Sequence, residues 1–139
     1  MNKIMMLIFG VVALFLLAGN AWCANDLQYD GVYMSNEHKS GNISYRTYIR
    51  FYQDGDVIRI SSTGSPTDLR KWFSKENQNQ WLFRGKISTI EGNRISFSVR
   101  DNKGSIDYSG QIEGDTINLS SYSHMNKNQS NDIYSFVKW

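Results

Sequence analysis

Two histidines, His38 and His124, are the residues of this chain most suited to proton transfer, and both lie in polar, loop-like stretches. A histidine works as a general base only when a partner group positions it. Ser123 adjoins His124, but neighbours along a strand point apart. No nucleophile elbow and no acid–base pair on one strand face accompanies either ring. A histidine metal site would need further ligands at matched spacing, and none is visible. Asp54, Asp56, Asp101 and Asp115 fall in turn-forming stretches, as aspartates commonly do, without the ligand spacing of a calcium loop. Cys23 is the single cysteine, so there is no cysteine pair for an internal disulfide and no C-x-x-C motif. The residue types point to a protein that binds rather than catalyses, with no metal and no cofactor.

The sharpest feature is a stripe of cations and phenols, Arg46, Tyr48, Arg50 and Tyr52. It alternates with Ile43, Tyr45, Thr47, Ile49 and Phe51, and a period of two puts the two sets on opposite faces of one strand. Gln53-Asp54-Gly55-Asp56 follows. If Asp54-Gly55 forms a two-residue type I′ turn, Phe51 pairs with Ile58, Ile49 with Ile60 and Arg50 with Arg59. Like charges directly opposite are destabilising. Arg46, Tyr48, Arg50, Tyr52 and Arg59 are then either a docking surface for an anionic or sugar-rich partner or a solvated wall with arginine stems lying on tyrosine rings.

The elements that would carry these residues are strands. Ile95, Phe97 and Val99 alternate with polar residues before the turn Asp101-Asn102-Lys103-Gly104, which pairs Val99 with Ile106 and Phe97 with Tyr108. Ile112-Glu113-Gly114-Asp115-Thr116-Ile117 turns the chain again, setting Ile112 against Ile117 and Gly110 against Leu119. The segment Ile90-Glu91-Gly92-Asn93-Arg94-Ile95 uses the same hairpin chemistry. Trp81 and Phe83 have one parity, Ser88 and Ile90 the other, and a bulge at Gly85 would reconcile them. Ser65-Pro66-Thr67-Asp68 begins a short helix with an N-cap serine and proline at its first position. Its apolar residues Leu69, Trp72 and Phe73 would plug one open end of the sheet. Lys75 to Gln80 and Ser123 to Asp132 read as polar loops, Gly31 to Ser35 as the first strand and Ile133 to Trp139 as the last. The count is about eight antiparallel strands in an all-β up-and-down meander. Such a meander closes into a barrel, although a two-sheet β-sandwich could use the same strands.

The first residues read as a targeting segment. Lys3 precedes an apolar run from Ile4 to Leu17, and small or polar residues follow. That is the order of a secretory signal peptide, here residues 1–23 with cleavage near 21–24, leaving one domain over 24–139. The run falls short of the roughly 20 residues that span a bilayer, so no stable membrane insertion is expected once the signal is removed. An exported chain without disulfides suits a periplasm or an extracellular space. The 15 basic and 13 acidic residues nearly balance, which gives no reason to expect a nucleic-acid partner.

In layout the chain resembles the small lipocalin-like, or calycin, barrels of exported bacterial proteins. Gly31-Val32-Tyr33 stands at the first strand, where lipocalins carry Gly-x-Trp, and meandering hairpins and one capping helix follow. The resemblance implies a fold, and a fold does not carry function. Two binding readings result. In the first, a small apolar or amphipathic ligand lies inside the barrel, lined by Tyr45, Phe51, Phe97 and Tyr108 and capped by Trp72 and Phe73. In the second, a protein or an envelope polymer docks on the outer wall formed by Arg46, Tyr48, Arg50, Tyr52 and Arg59.

Overall fold

A computed structural model describes residues 27–139; the expected export signal and Cys23 lie outside the described residues. The elements are β1 (Gly31–Met34), β2 (His38–Ser40), β3 (Ile43–Phe51), β4 (Asp56–Ser62), α1 (Pro66–Leu69), β5 (Phe83–Glu91), β6 (Arg94–Arg100), β7 (Ser105–Glu113), β8 (Thr116–Ser123) and β9 (Gln129–Lys138). Strands β3 to β9 pair in chain order, and β1 bonds to both β9 and β3. Eight antiparallel strands therefore close into a barrel, and the two-sheet alternative falls away. The ninth strand, β2, pairs with β3 beyond the end of β1 and continues its line.

Two hairpins follow from glycine. Gly92 and Gly114 have φ of 57° and 60°, as the first central residue of a type II′ turn requires. They set Ile90 against Ile95 and Ile112 against Ile117. Val99 faces Ile106, Phe97 faces Tyr108 and Gly110 faces Leu119, all as the alternation predicts. Gly85 and Gly110 sit where neighbouring backbone crowds in. A Cβ on them would lie 1.7 Å from the Ser98 carbonyl oxygen and 1.8 Å from that of Asn118.

The first hairpin differs from expectation by one residue. Phe51 pairs with Val57, Arg50 with Ile58 and Ile49 with Arg59. The Gly55 amide donates to the Tyr52 carbonyl and the Tyr52 amide to the Asp56 carbonyl. The loop is thus one residue longer, with Gly55 (φ 91°) after the turn rather than inside it. A one-residue slip sends every side chain of β4 to the other face. Arg59 turns inward, and Ile58 and Ile60 turn outward. A second correction concerns the bulge, which lies between Ile87 and Thr89 rather than at Gly85. It leaves Phe83, Gly85 and Ile87 on the inward parity.

Two apolar clusters result. Inside the barrel, Leu27, Tyr33, Phe51, Val57, Phe97 and Ile117 belong to one buried core. Outside it, Val32, Tyr48, Ile58, Ile60, Leu69 and Phe73 form another. Here α1 and the chain after it lie on the outer wall of β1, β3 and β4. The expected end plug is therefore a side cover, because the outward isoleucines of β4 need covering. The cover starts at a capping box in which Ser65 and Asp68 each accept from the other's amide, at 3.2 and 3.0 Å. Trp139 ties down the start of α1, its indole N–H donating to the Pro66 carbonyl at 3.0 Å.

Candidate functional site

The lumen changes character from one end to the other. At the end where β1 begins and β9 stops, Leu27 joins the interior core. The Gln28 amide donates to the Tyr33 hydroxyl at 2.9 Å, and the Gln28 side chain bonds Asp115 at 2.7 Å. The middle is filled by aromatic rings in edge contact, Tyr33 with Phe51 at 5.6 Å and Phe51 with Phe97 at 5.2 Å. Phe97 in turn stacks flat on Tyr108 at 4.8 Å. Toward the other end the inward positions of β3, β4, β8 and β9 become polar, at Thr47, Arg59, Ser61, Ser121, Ser130 and Asp132, while Val99 and Ile106 keep β6 and β7 apolar there.

Arg59 is the centre of this polar end. Its position opposite Ile49, an inward residue of β3, turns it into the barrel. Its Nε donates to the Tyr108 hydroxyl at 2.9 Å, and its guanidinium lies 5.0 Å from the centre of the Phe83 ring. Tyr134 lies beside Tyr108; burial, with the neighbouring Tyr108 hydroxyl adding to it, pushes the Tyr134 phenol well above its ordinary value. The Thr47 and Ser61 hydroxyls meet at 3.0 Å on the adjoining strands.

A second polar contact spans the gap above β1. His38 of β2 lies 3.6 Å from Asp132 of β9, and the Ser130 hydroxyl donates to Asp132 at 2.7 Å. Tyr45 packs on the His38 ring at 5.5 Å. Strand β2 thus fills the wall where β1 has ended, and its histidine faces the lumen end. The rim above carries apolar side chains in water: Trp81 is 57% and Met125 42% exposed. Lys103 lies 5.3 Å over the Trp81 ring.

The anticipated interior residues divide accordingly. Phe51, Phe97 and Tyr108 line one aromatic column inside the barrel, and Tyr45 stands half-buried at its polar end. Trp72 and Phe73 are not with them, because the cover they belong to packs outside. The arginine–tyrosine stripe is not one exposed surface either. Tyr48 is fully buried beneath the cover, with its hydroxyl donating to the Gly64 carbonyl at 2.7 Å. Arg50 is held between Tyr52 at 4.8 Å and Trp139 at 5.0 Å and donates to the Phe73 carbonyl at 2.8 Å. Tyr52 accepts from the Lys75 amide at 2.9 Å. Arg46 donates to the Ser35 carbonyl at 2.9 Å, and Arg59 faces inward.

Sequence reasoning passed over His38, Asp132 and Tyr134 as site residues. The alternation Asp132, Tyr134, Phe136 is a usable sign, since it continues the inward face of β9 into the stretch read as a loop.

The opposite outer wall, over β6 to β8, is bare. Ser96, Ser98, Ser109 and Ser120 line a shallow depression of about 700 Å³, bordered by Tyr122. Asp107 accepts from both Ser98 and His124, the latter at 2.7 Å. These two hydrogen bonds, that from Ser98 first, hold its carboxyl below the usual range. The carboxylate separates hydroxyl from imidazole, whereas a nucleophilic triad needs the imidazole between them. No group of three or more histidine, cysteine, aspartate or glutamate side chains among the described residues is placed to hold a metal ion.

Comparison with known proteins adds little. No family model matches the chain, and no solved structure matches it. One curated protein, the F-box protein HRT3 of Saccharomyces cerevisiae, is 47% identical over 36 residues, which is 26% of this chain. The match spans 10% of the length of that yeast protein, and it fixes neither a fold nor an activity.

Proposed function

We propose that this protein is an exported, lipocalin-like binding barrel that takes a small amphipathic molecule at the polar end of its lumen. The carrying observation is the gradient along the inside of the barrel, from the aromatic column below Tyr108 to the polar groups around Arg59. A folded domain normally keeps such groups on its surface. Gathered inside a barrel wall, they suit a site that fixes the orientation of a ligand with a few polar contacts. The exposed Trp81 and Met125 on the same rim suit its apolar part. Because the column fills the lower lumen, the ligand sits near the rim. The signal-like residues 1–23 support export to a periplasm or an extracellular space. The order of Ser98, Asp107 and His124 favours binding over catalysis.

Native mass spectrometry on protein purified undenatured from its own source tests this. A reproducible extra mass of small-molecule size, lost on exchange into Tyr108→Phe or Arg59→Met protein, is expected. A bare mass from the native source, unchanged by added amphiphiles, would overturn the reading.

A second reading, a protein or polymer partner on the outer wall, draws support from the serine-lined depression rather than from the arginine–tyrosine stripe. Ser98→Arg and Ser109→Arg would block it without touching the lumen.

A further inference from the structure

We propose that the polar end of the barrel is a carboxylate site, in which Arg59 and Tyr108 hold the head group of a short anionic amphiphile. The inference rests on the binding reading above and names the chemistry of its ligand. Arg59 points into the lumen at half burial, fixed at one edge only, through its Nε on the Tyr108 hydroxyl. Phe83 covers a face of the guanidinium, which leaves the Nη fork as its free edge. Among the described residues no carboxylate pairs with Arg59. A cation taken partly out of water without a counter-charge is costly. An anion from outside would offset that cost.

The nearest inward acid is not spare. Asp132 already accepts from Ser130 and faces His38. The planar guanidinium fork matches a carboxylate in two parallel hydrogen bonds, a geometry that a point-charge ammonium does not offer. The Tyr108 hydroxyl accepts the Arg59 N–H and lies beside the Tyr134 phenol, so two hydroxyls border the place of the head group. The tail has one direction open to it. The buried rings of Tyr33, Phe51 and Phe97 close the way down, whereas Trp81 and Met125 expose apolar surface on the rim. The ligand class is therefore a carboxylate with a short alkyl or aryl tail that leaves the barrel along that rim.

Isothermal titration of the purified protein with octanoate, 1-octanol and octylammonium tests this. Octanoate should bind about tenfold or more tightly than octanol, the scale of one charge-assisted hydrogen-bond pair, and octylammonium should not bind. Arg59→Met keeps the stem and the contact with Phe83, and should erase the preference for octanoate. Should that variant not fold, Tyr108→Phe keeps the stacked ring and should weaken octanoate several-fold while leaving octanol unchanged. Equal binding of octanoate and octanol, or octanoate binding that survives Arg59→Met, would overturn the carboxylate site and leave the binding reading standing. Failure of all three probes to bind would overturn both.

Discussion

Arg50 and Arg59 leave the same hairpin on opposite sides of the barrel wall. Arg50 stands opposite Ile58 and points out beneath the cover, between Tyr52 and Trp139. Arg59 stands opposite Ile49 and points in, onto Tyr108. The two cations do not repel each other across a ladder position, so each has to be understood by its own surroundings.

Arg50→Ala should destabilise the fold by about 2 kcal/mol, the scale of a partly desolvated cation–π contact with a charged hydrogen bond. Urea unfolding monitored by circular dichroism measures it. A gain in stability would show that Arg50 is a tolerated burden on the outer wall.

Gly110→Ala and Gly92→Ala should differ in kind. At Gly110 the new methyl would meet the Asn118 carbonyl, and overpacking should cost about 3 kcal/mol. At Gly92 the methyl meets open space, and the cost is the left-handed backbone alone, about 1 kcal/mol. Denaturation midpoints of the two variants should rank in that order.

Phe73→Ala should cost about 4 kcal/mol, as for other buried rings, and should loosen the cover before the barrel. Acrylamide quenching is the discriminating measurement. Trp72 and Trp139, both packed against the outer cluster, should become more accessible in the variant, while hydrogen exchange in β6 to β8 stays slow.

Stability should fall as pH rises above 10. Desolvation, the leading cause at Tyr48, Tyr52 and Tyr134, raises each phenol above its ordinary value, which is about 10. These phenols ionise in the unfolded chain first, so the unfolded state loses protons that the native state keeps. The associated stability is fully present below pH 10 and is lost above it. Thermal melts from pH 8 to 11 should show the decline, and Tyr134→Phe should flatten it. An equally steep decline in that variant would place the effect elsewhere.

The parts of the fold legible in sequence were those where one face of a strand is buried and the other is wet. In β6 to β8 the alternation of Phe97, Val99, Ile106, Tyr108 and Leu119 with serines and charges, together with the Gly92 and Gly114 turns, determines register uniquely. The β3–β4 hairpin lacks that property. Its inner face packs in the lumen and its outer face under α1, so Val57 on one parity and Ile58 and Ile60 on the other are all buried. Alternation cannot choose between them, and Asp54-Gly55 suits both loop lengths. That single ambiguity hid Arg59, the centre of the candidate site. Asp132 was hidden for another reason. Near the rim an inward strand position can be polar, and Gln129 to Asp132 then looks like a loop.

The seam between β1 and β9 has a kinetic consequence. Gly31 bonds in register with Lys138, so the barrel closes through a contact between distant parts of the chain. Such contacts form late, after the loop entropy of everything between them has been lost. A species with the local hairpins β5 to β9 in place and the seam open would expose two unpaired edges. Refolding should slow at that step, and self-association should compete with it as protein concentration rises.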